Sequence, residues 1–199
     1  MMVDDDEDYS EIRMRAALPL GRFPPENKHK FFQEKLVVSD ALKELNLDGF
    51  ELVKGDDPPD ICIKVEGQNI GIEVVELVDQ DALHARIKVS KGRNLNHTKK
   101  RNLLRGEDIG REEFLAMLKE QISAKDISVL GFSKYWLAIH TVEPNFYKSN
   151  VDQWLLNMEF ETKHIDRVIL KLDYEPGTNS NPGRHPVFDL KIKKPLVKF

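Results

Sequence analysis

Residues 55–77 read GDDPPDICIKVEGQNIGIEVVEL. Apolar side chains alternate on both sides of a glycine, the pattern of a half-buried hairpin. Gly67-Gln68 fits a two-residue turn with glycine first. Pairing outward from that turn sets Glu66 against Asn69, Val65 against Ile70, Ile63 against Ile72, Cys62 against Glu73 and Asp60 against Val75. One face then carries Ile61, Ile63, Val65, Ile70, Ile72 and Val74, and the other carries Asp60, Cys62, Lys64, Gly71, Glu73 and Val75. Asp60 and Glu73 share a face as diagonal neighbours, about 7–8 Å apart between the two backbones. Two acids so placed repel each other unless a cation, a proton or a basic partner intervenes.

A polar pair on the outer face of a hairpin is ordinary, but three neighbouring features favour a site. Gly71 permits close approach over the acid face, Asp60 follows Pro58-Pro59, and the preceding segment supplies a third acid. That segment, ENKHKFFQEKLVVSDALKELNL, spaces Phe31, Val38, Leu42 and Leu45 for one face of a helix over about 27–46. At 100° per residue Glu34 falls inside this apolar arc, where a carboxylate needs a partner, either a nearby lysine in a salt bridge or the site itself.

Outward from the hairpin, GFELVKG reads as a strand, and 80–126 is mostly helical in pattern with breaks near SKGRN and RGEDIG. Its second part has a stripe of Phe114, Leu115, Leu118 and Ile122. KYWLAIH is a strand, VDQWLLNMEF a helix, and IDRVILKLDY and HPVFDLKI are strands. The predicted order is α-β-β-β-α-β-α-β-β, an α/β domain with a mixed sheet flanked by helices. Residues 1–26, closing in GRFPPEN, read as an acidic, mobile lead-in, and 27–199 as a single domain.

With 199 residues, 40% hydrophobic and 32% charged, the chain can bury a core without staples. The lone Cys62 excludes an internal disulfide and a cysteine zinc site, which suits a reducing, cytoplasmic setting. The acidic start is unlike a signal peptide, and no apolar run approaches the roughly 20 residues of a membrane helix. No membrane partner is expected. Net charge is −4, yet residues 84–105 carry Arg86, Lys88, Lys91, Arg93, Lys99, Lys100, Arg101 and Arg105 without an acid. This is a local basic surface on an acidic chain.

PPD before a strand, a glycine turn, IGIEVVEL, and a glutamate-bearing helix upstream resemble the PD-(D/E)xK, or restriction-endonuclease-like, nuclease superfamily. The resemblance covers residues 27–140. It implies a restriction-endonuclease-like core, Asp60 and Glu73 as metal-binding catalytic acids, and Glu34 as the helix glutamate of the site. It also implies hydrolysis of phosphodiester bonds, with DNA favoured over RNA. Where the family pattern places a lysine two residues after the second acid, this chain has Val75. Lys64 on the same hairpin face is the first substitute for that catalytic lysine, with Lys54, Arg86 and Lys88 as further options.

Carboxylates without cysteine or clustered histidine suit a hard cation, magnesium or manganese. Arg86, Lys88, Lys91, Arg93, Lys99, Lys100 and Arg101 are then candidates for gripping nucleic-acid phosphates, with Asn94, Asn96 and His97 adding hydrogen bonds. A homodimer is compatible, because cutting two strands is simplest with two active sites. The sequence carries no phosphate loop, dinucleotide fingerprint or nucleophile elbow. Cys62 reads as a packing residue, and Trp136 and Trp154 as core anchors. The alternative is a catalytically inactive protein of the nuclease fold that binds nucleic acid or a protein partner.

Overall fold

A computed structural model describes residues 27–47, 49–65, 67–78, 109–141, 146–173, 175 and 183–195. The element order is α1 (Asn27–Glu44), β1 (Leu52–Lys54), β2 (Ile61–Val65), β3 (Gln68–Glu76), α2 (Arg111–Lys125), β4 (Lys134–His140), α3 (Lys148–Leu155), β5 (Phe160–Glu161), β6 (Arg167–Lys171), β7 (Val187–Leu190) and β8 (Ile192–Lys193). A six-stranded sheet runs β1-β2-β3-β4-β6-β7, and β5 pairs with β8 in a separate parallel ribbon. β1, β2 and β3 form an antiparallel meander, β3, β4 and β6 are parallel, and β7 closes the sheet antiparallel to β6. The fold is α/β with a mixed sheet flanked by helices.

The predicted order holds through α3 and departs after it. Two strands were expected there and four are present among the described residues, because Phe160-Glu161 forms β5 and the segment HPVFDLKI divides into β7 and β8. The α3 helix also ends at Leu155, ahead of the Asn157-Met158 stretch, where Asn157 takes a positive φ of 61° that stops the helix. The expected helix before Ile109, the lead-in 1–26 and the basic residues from Arg86 to Arg101 lie outside the described residues.

Side-chain alternation explains the layers. Ile61, Ile63, Ile70, Ile72, Val74, Trp136, Ala138 and Ile169 face α1, which buries Val38, Ala41 and Leu42 against them. The opposite sheet face, with Val75, Leu137, Ile139, Val168 and Leu170, receives Phe114, Leu115, Leu118 and Ile122 of α2 and Val151 of α3. Phe114, Phe146 and Trp154 meet there as a ring cluster with centroids 5.0–6.4 Å apart. Fully burying each such aliphatic side chain stabilises by about 1.5–3 kcal/mol, so the predicted stripes decide which way each helix faces. Trp136 is buried under the Arg167 guanidinium, 5.1 Å from the ring centroid.

The hairpin register differs from the expected one. Ile61 pairs with Ile72, Cys62 with Gly71, Ile63 with Ile70, Lys64 with Asn69 and Val65 with Gln68. The last pair is Val65 with Gln68, so Gln68 belongs to β3 and not to the turn, and Gly67 takes φ 80°, the conformation that an X-Gly turn asks of its glycine. A shift of two in pairing keeps every side chain on its expected face. It also moves Asp60 from a diagonal to the place directly across from Glu73.

Candidate active site

Asp60 and Glu73 sit where the two helical layers approach the same pair of strands. Glu73 is central in β3 on the α2 side, between Gly71 and Val75. Asp60 immediately precedes β2, at the end of a tight loop in which the Gly55 N–H donates to the Asp60 carbonyl at 2.9 Å and the Asp57 N–H to the Pro59 carbonyl at 3.1 Å. The Val74 N–H donates to Asp60 Oδ2 at 2.9 Å, which fixes this carboxylate against β3. Asp60, Glu73 and Glu34 are 6%, 4% and 4% exposed, so none lies on a solvated face.

Each acid has a lysine from a helix on an opposite side of the sheet. Lys125, the last residue of α2, donates from Nζ to Glu73 Oε1 at 2.6 Å. Lys30, in the first turn of α1, donates to Asp60 Oδ1 at 3.0 Å and lies 3.2 Å from Glu34 Oε1 and 3.8 Å from Asp57 Oδ2. Glu73 Oε2 is buried with no hydrogen-bond partner, and so is the hydroxyl of Tyr135 on β4. Tyr135 pairs in register with Gly71, two residues from Glu73.

The charges act on one another. Burial and then the Asp60 carboxylate push Glu34 up to about 7. Burial raises Glu73 above the usual carboxylate range, opposed by the Lys125 hydrogen bond and reinforced by Asp60. Burial works against the Lys30 charge, but its hydrogen bond to Asp60 and the nearby Asp60 and Glu34 charges outweigh this and raise its pKa. Tyr135 is held up by burial and by the charges of Glu73 and Asp60, so its phenol remains a hydrogen-bond donor at neutral pH.

The structure thus brings Glu34, Asp60 and Glu73 together, as the sequence suggested. It leaves Lys64 elsewhere. That residue is exposed beside Asn69, four residues along the chain from Asp60 and about 13 Å away at strand rise, so it is corrected as the catalytic lysine. Lys54 is likewise exposed at the end of β1. The close approach at Gly71 is explained by packing, since a Cβ there would come within 2.8 Å of the Pro59 ring and 3.1 Å of Phe132. Glu76 lies three residues beyond Glu73 and faces the other side. Burial, followed by the Asp56 charge, raises the Cys62 thiol, which fits a packing residue and not a nucleophile.

Lys125, Lys30 and Tyr135 were missed by sequence reasoning. The signal for Lys125 was present, because the α2 stripe continues from Leu118 through Ile122 to position 125 at helical spacing. Lys30 precedes Glu34 by one turn.

Among the described residues no three His, Cys, Asp or Glu side chains form a group able to hold a metal ion. Magnesium asks less, because it keeps several waters and binds through one or two carboxylates. Asp60 and Glu73 supply two, and the orphaned Glu73 Oε2 is an acceptor without a donor, so the residues fit such an ion. Among the described residues no helix is long and apolar enough to cross a membrane. Comparison of the chain with family models, with curated proteins and with solved structures finds no match.

Proposed function

We propose that this chain is a metal-dependent nuclease with a restriction-endonuclease-like core, hydrolysing phosphodiester bonds, in DNA ahead of RNA. The observation that carries this reading is the Lys125 ammonium, 2.6 Å from Glu73 Oε1, on the acid that lies across the strand pair from Asp60. It supplies a buried acid pair with the cation that Val75 cannot provide. Asp60 and Glu73 would hold magnesium or manganese, which polarises the phosphodiester and lowers the pKa of an attacking water. Lys125 offsets negative charge as it grows on the phosphate oxygens, and with Glu73 orients the water. The water oxygen would attack phosphorus and give up a proton to solvent, the bond to the leaving oxygen would break, and that oxygen would leave with a proton from solvent. Glu34, poised near neutrality, shares the Asp60 environment and takes part in holding its charge. The basic residues between Arg86 and Arg101 are proposed as the phosphate grip, and a homodimer as the assembly that cuts both strands. The cytoplasm is the compartment proposed, on the single cysteine.

A second reading is a non-catalytic member of the same fold that binds nucleic acid or a protein. It draws on the same ion pairs, because Lys30 and Lys125 already neutralise both acids. Magnesium- and manganese-dependent cleavage of a mixed DNA and RNA panel decides between them. Wild type is expected to cleave, and Asp60→Ala, Glu73→Ala and Lys125→Met to lose at least a hundredfold. A folded wild type that binds the panel without cutting any of it supports the second reading and rejects the first.

A further inference from the structure

Lys30 carries its positive charge into a cluster of carboxylates. Its ammonium lies 3.0 Å from Asp60 Oδ1, 3.2 Å from Glu34 Oε1 and 3.8 Å from Asp57 Oδ2, so three carboxylates from α1 and the β1–β2 loop converge on one positive group. Helix formation does not explain the position, since a cation in the first turn opposes the helix dipole. The carboxylates therefore hold it there. The hold is reversible by construction: the Lys30 side chain is 55% exposed, whereas those of Asp60 and Glu34 are 4% and 6% exposed. A four-carbon stem on an exposed residue swings into water at little cost, while the buried acids stay. Asp60 Oδ2 is committed to the Val74 N–H, which leaves Oδ1, the atom Lys30 holds, as the oxygen with which Asp60 would meet a divalent ion.

We propose that Lys30 is a tethered competitor of the divalent cation, which must displace its ammonium from Asp60 Oδ1 and so is bound only above a threshold concentration. The inference rests on the reading of Asp60 and Glu73 as cation ligands. Without metal, Lys30 neutralises Asp60 and Glu34 and keeps the buried acids from repelling one another. With metal, it is released to solvent, one positive group replacing another.

The test is manganese binding to the full metal-free chain, followed by the electron paramagnetic resonance of free Mn²⁺, for wild type, Lys30→Met, Lys30→Arg and Asp60→Asn. Lys30→Met is expected to bind at least tenfold more tightly than wild type, Lys30→Arg to stay close to wild type because the charge is kept, and Asp60→Asn to lose binding. Equal affinity in wild type and Lys30→Met overturns the competitor role and leaves the metal site standing. No binding by either protein, wild type and Lys30→Met both folded, rejects the metal site and the inference together. Amine-reactive labelling of wild type, read by mass spectrometry, covers the case in which Lys30→Met does not fold. Labelling of Lys30 is expected to rise severalfold on manganese saturation, and unchanged labelling overturns the proposal.

Discussion

At the scale of single residues, the Glu73–Lys125 pair joins stability to chemistry. Losing one partner of a buried pair leaves an uncompensated charge, but the Lys125 side chain is 36% exposed, so water recovers part of the loss. Lys125→Met is expected to destabilise the chain by about 1–2 kcal/mol. Combining it with Glu73→Gln should cost less than the sum of the two single changes, measured by urea denaturation in a double-mutant cycle. His140 gives a pH dependence. Burial, then the neighbouring Lys171 charge, lowers it to about 4 from an ordinary 6.5. The unfolded chain therefore takes up the proton first, and the contribution is complete above about pH 6.5 and lost as pH falls toward 4. At about 1.4 kcal/mol per unit, the loss reaches about 3 kcal/mol. Urea midpoints between pH 7 and pH 4.5 should fall more steeply in wild type than in His140→Gln. The acids of the site were legible at this scale because Glu34 falls in an apolar helix arc and Asp60 and Glu73 share one hairpin face, both of which are local signals. Lys125 continues the α2 stripe at helical spacing, but its meeting with Glu73 depends on how far the end of α2 reaches over the sheet, which no local pattern states.

Among the elements, the β1–β2 loop does the most to place the site. A Cβ on Gly55 would sit 1.8 Å from the Pro59 carbonyl oxygen, a backbone atom that cannot step aside. Gly55→Ala is expected to open the loop at a cost of about 1–3 kcal/mol and to move Asp60 off Val74. The second effect is read as a downfield or upfield change of the Val74 amide resonance in NMR. In α2, Phe114 is fully buried in the ring cluster, and Phe114→Ala should cost about 3–5 kcal/mol by thermal or urea unfolding. Element types were legible wherever the apolar period was sustained: β4 occupies the KYWLAIH segment as predicted, and the α2 stripe is buried as predicted. The hairpin turn was misplaced by one residue because two turn chemistries both use one glycine and differ only in its position. β5 and β8 escaped notice because two-residue strands have too few side chains to show a period.

For the whole molecule, sheet order was beyond the sequence. Parallel pairing of β3, β4 and β6 rests on α2 and α3 both crossing the same face, and a linear pattern does not state which strand receives each crossover. The order places β3, β4 and β6 at the centre, covered on both sides by the two apolar clusters. Their amides should show the slowest hydrogen exchange in the chain, with β1 and β5 the fastest among the strands. Exchange measured on the intact chain checks this, and β1 as slow as β4 would contradict the layering.

Among the described residues the two margins of the large sheet are β1, with three residues, and β7, with four. A strand from another copy adding to either margin would gain only a few backbone hydrogen bonds, and after β7 the chain turns away at once to pair β8 with β5. Short margins of this kind blunt the edge-to-edge growth that leads to fibres. Sheet extension is thus a poor route for joining two copies, and a two-copy assembly would meet through helices or loops, with the six strands of each copy remaining separate.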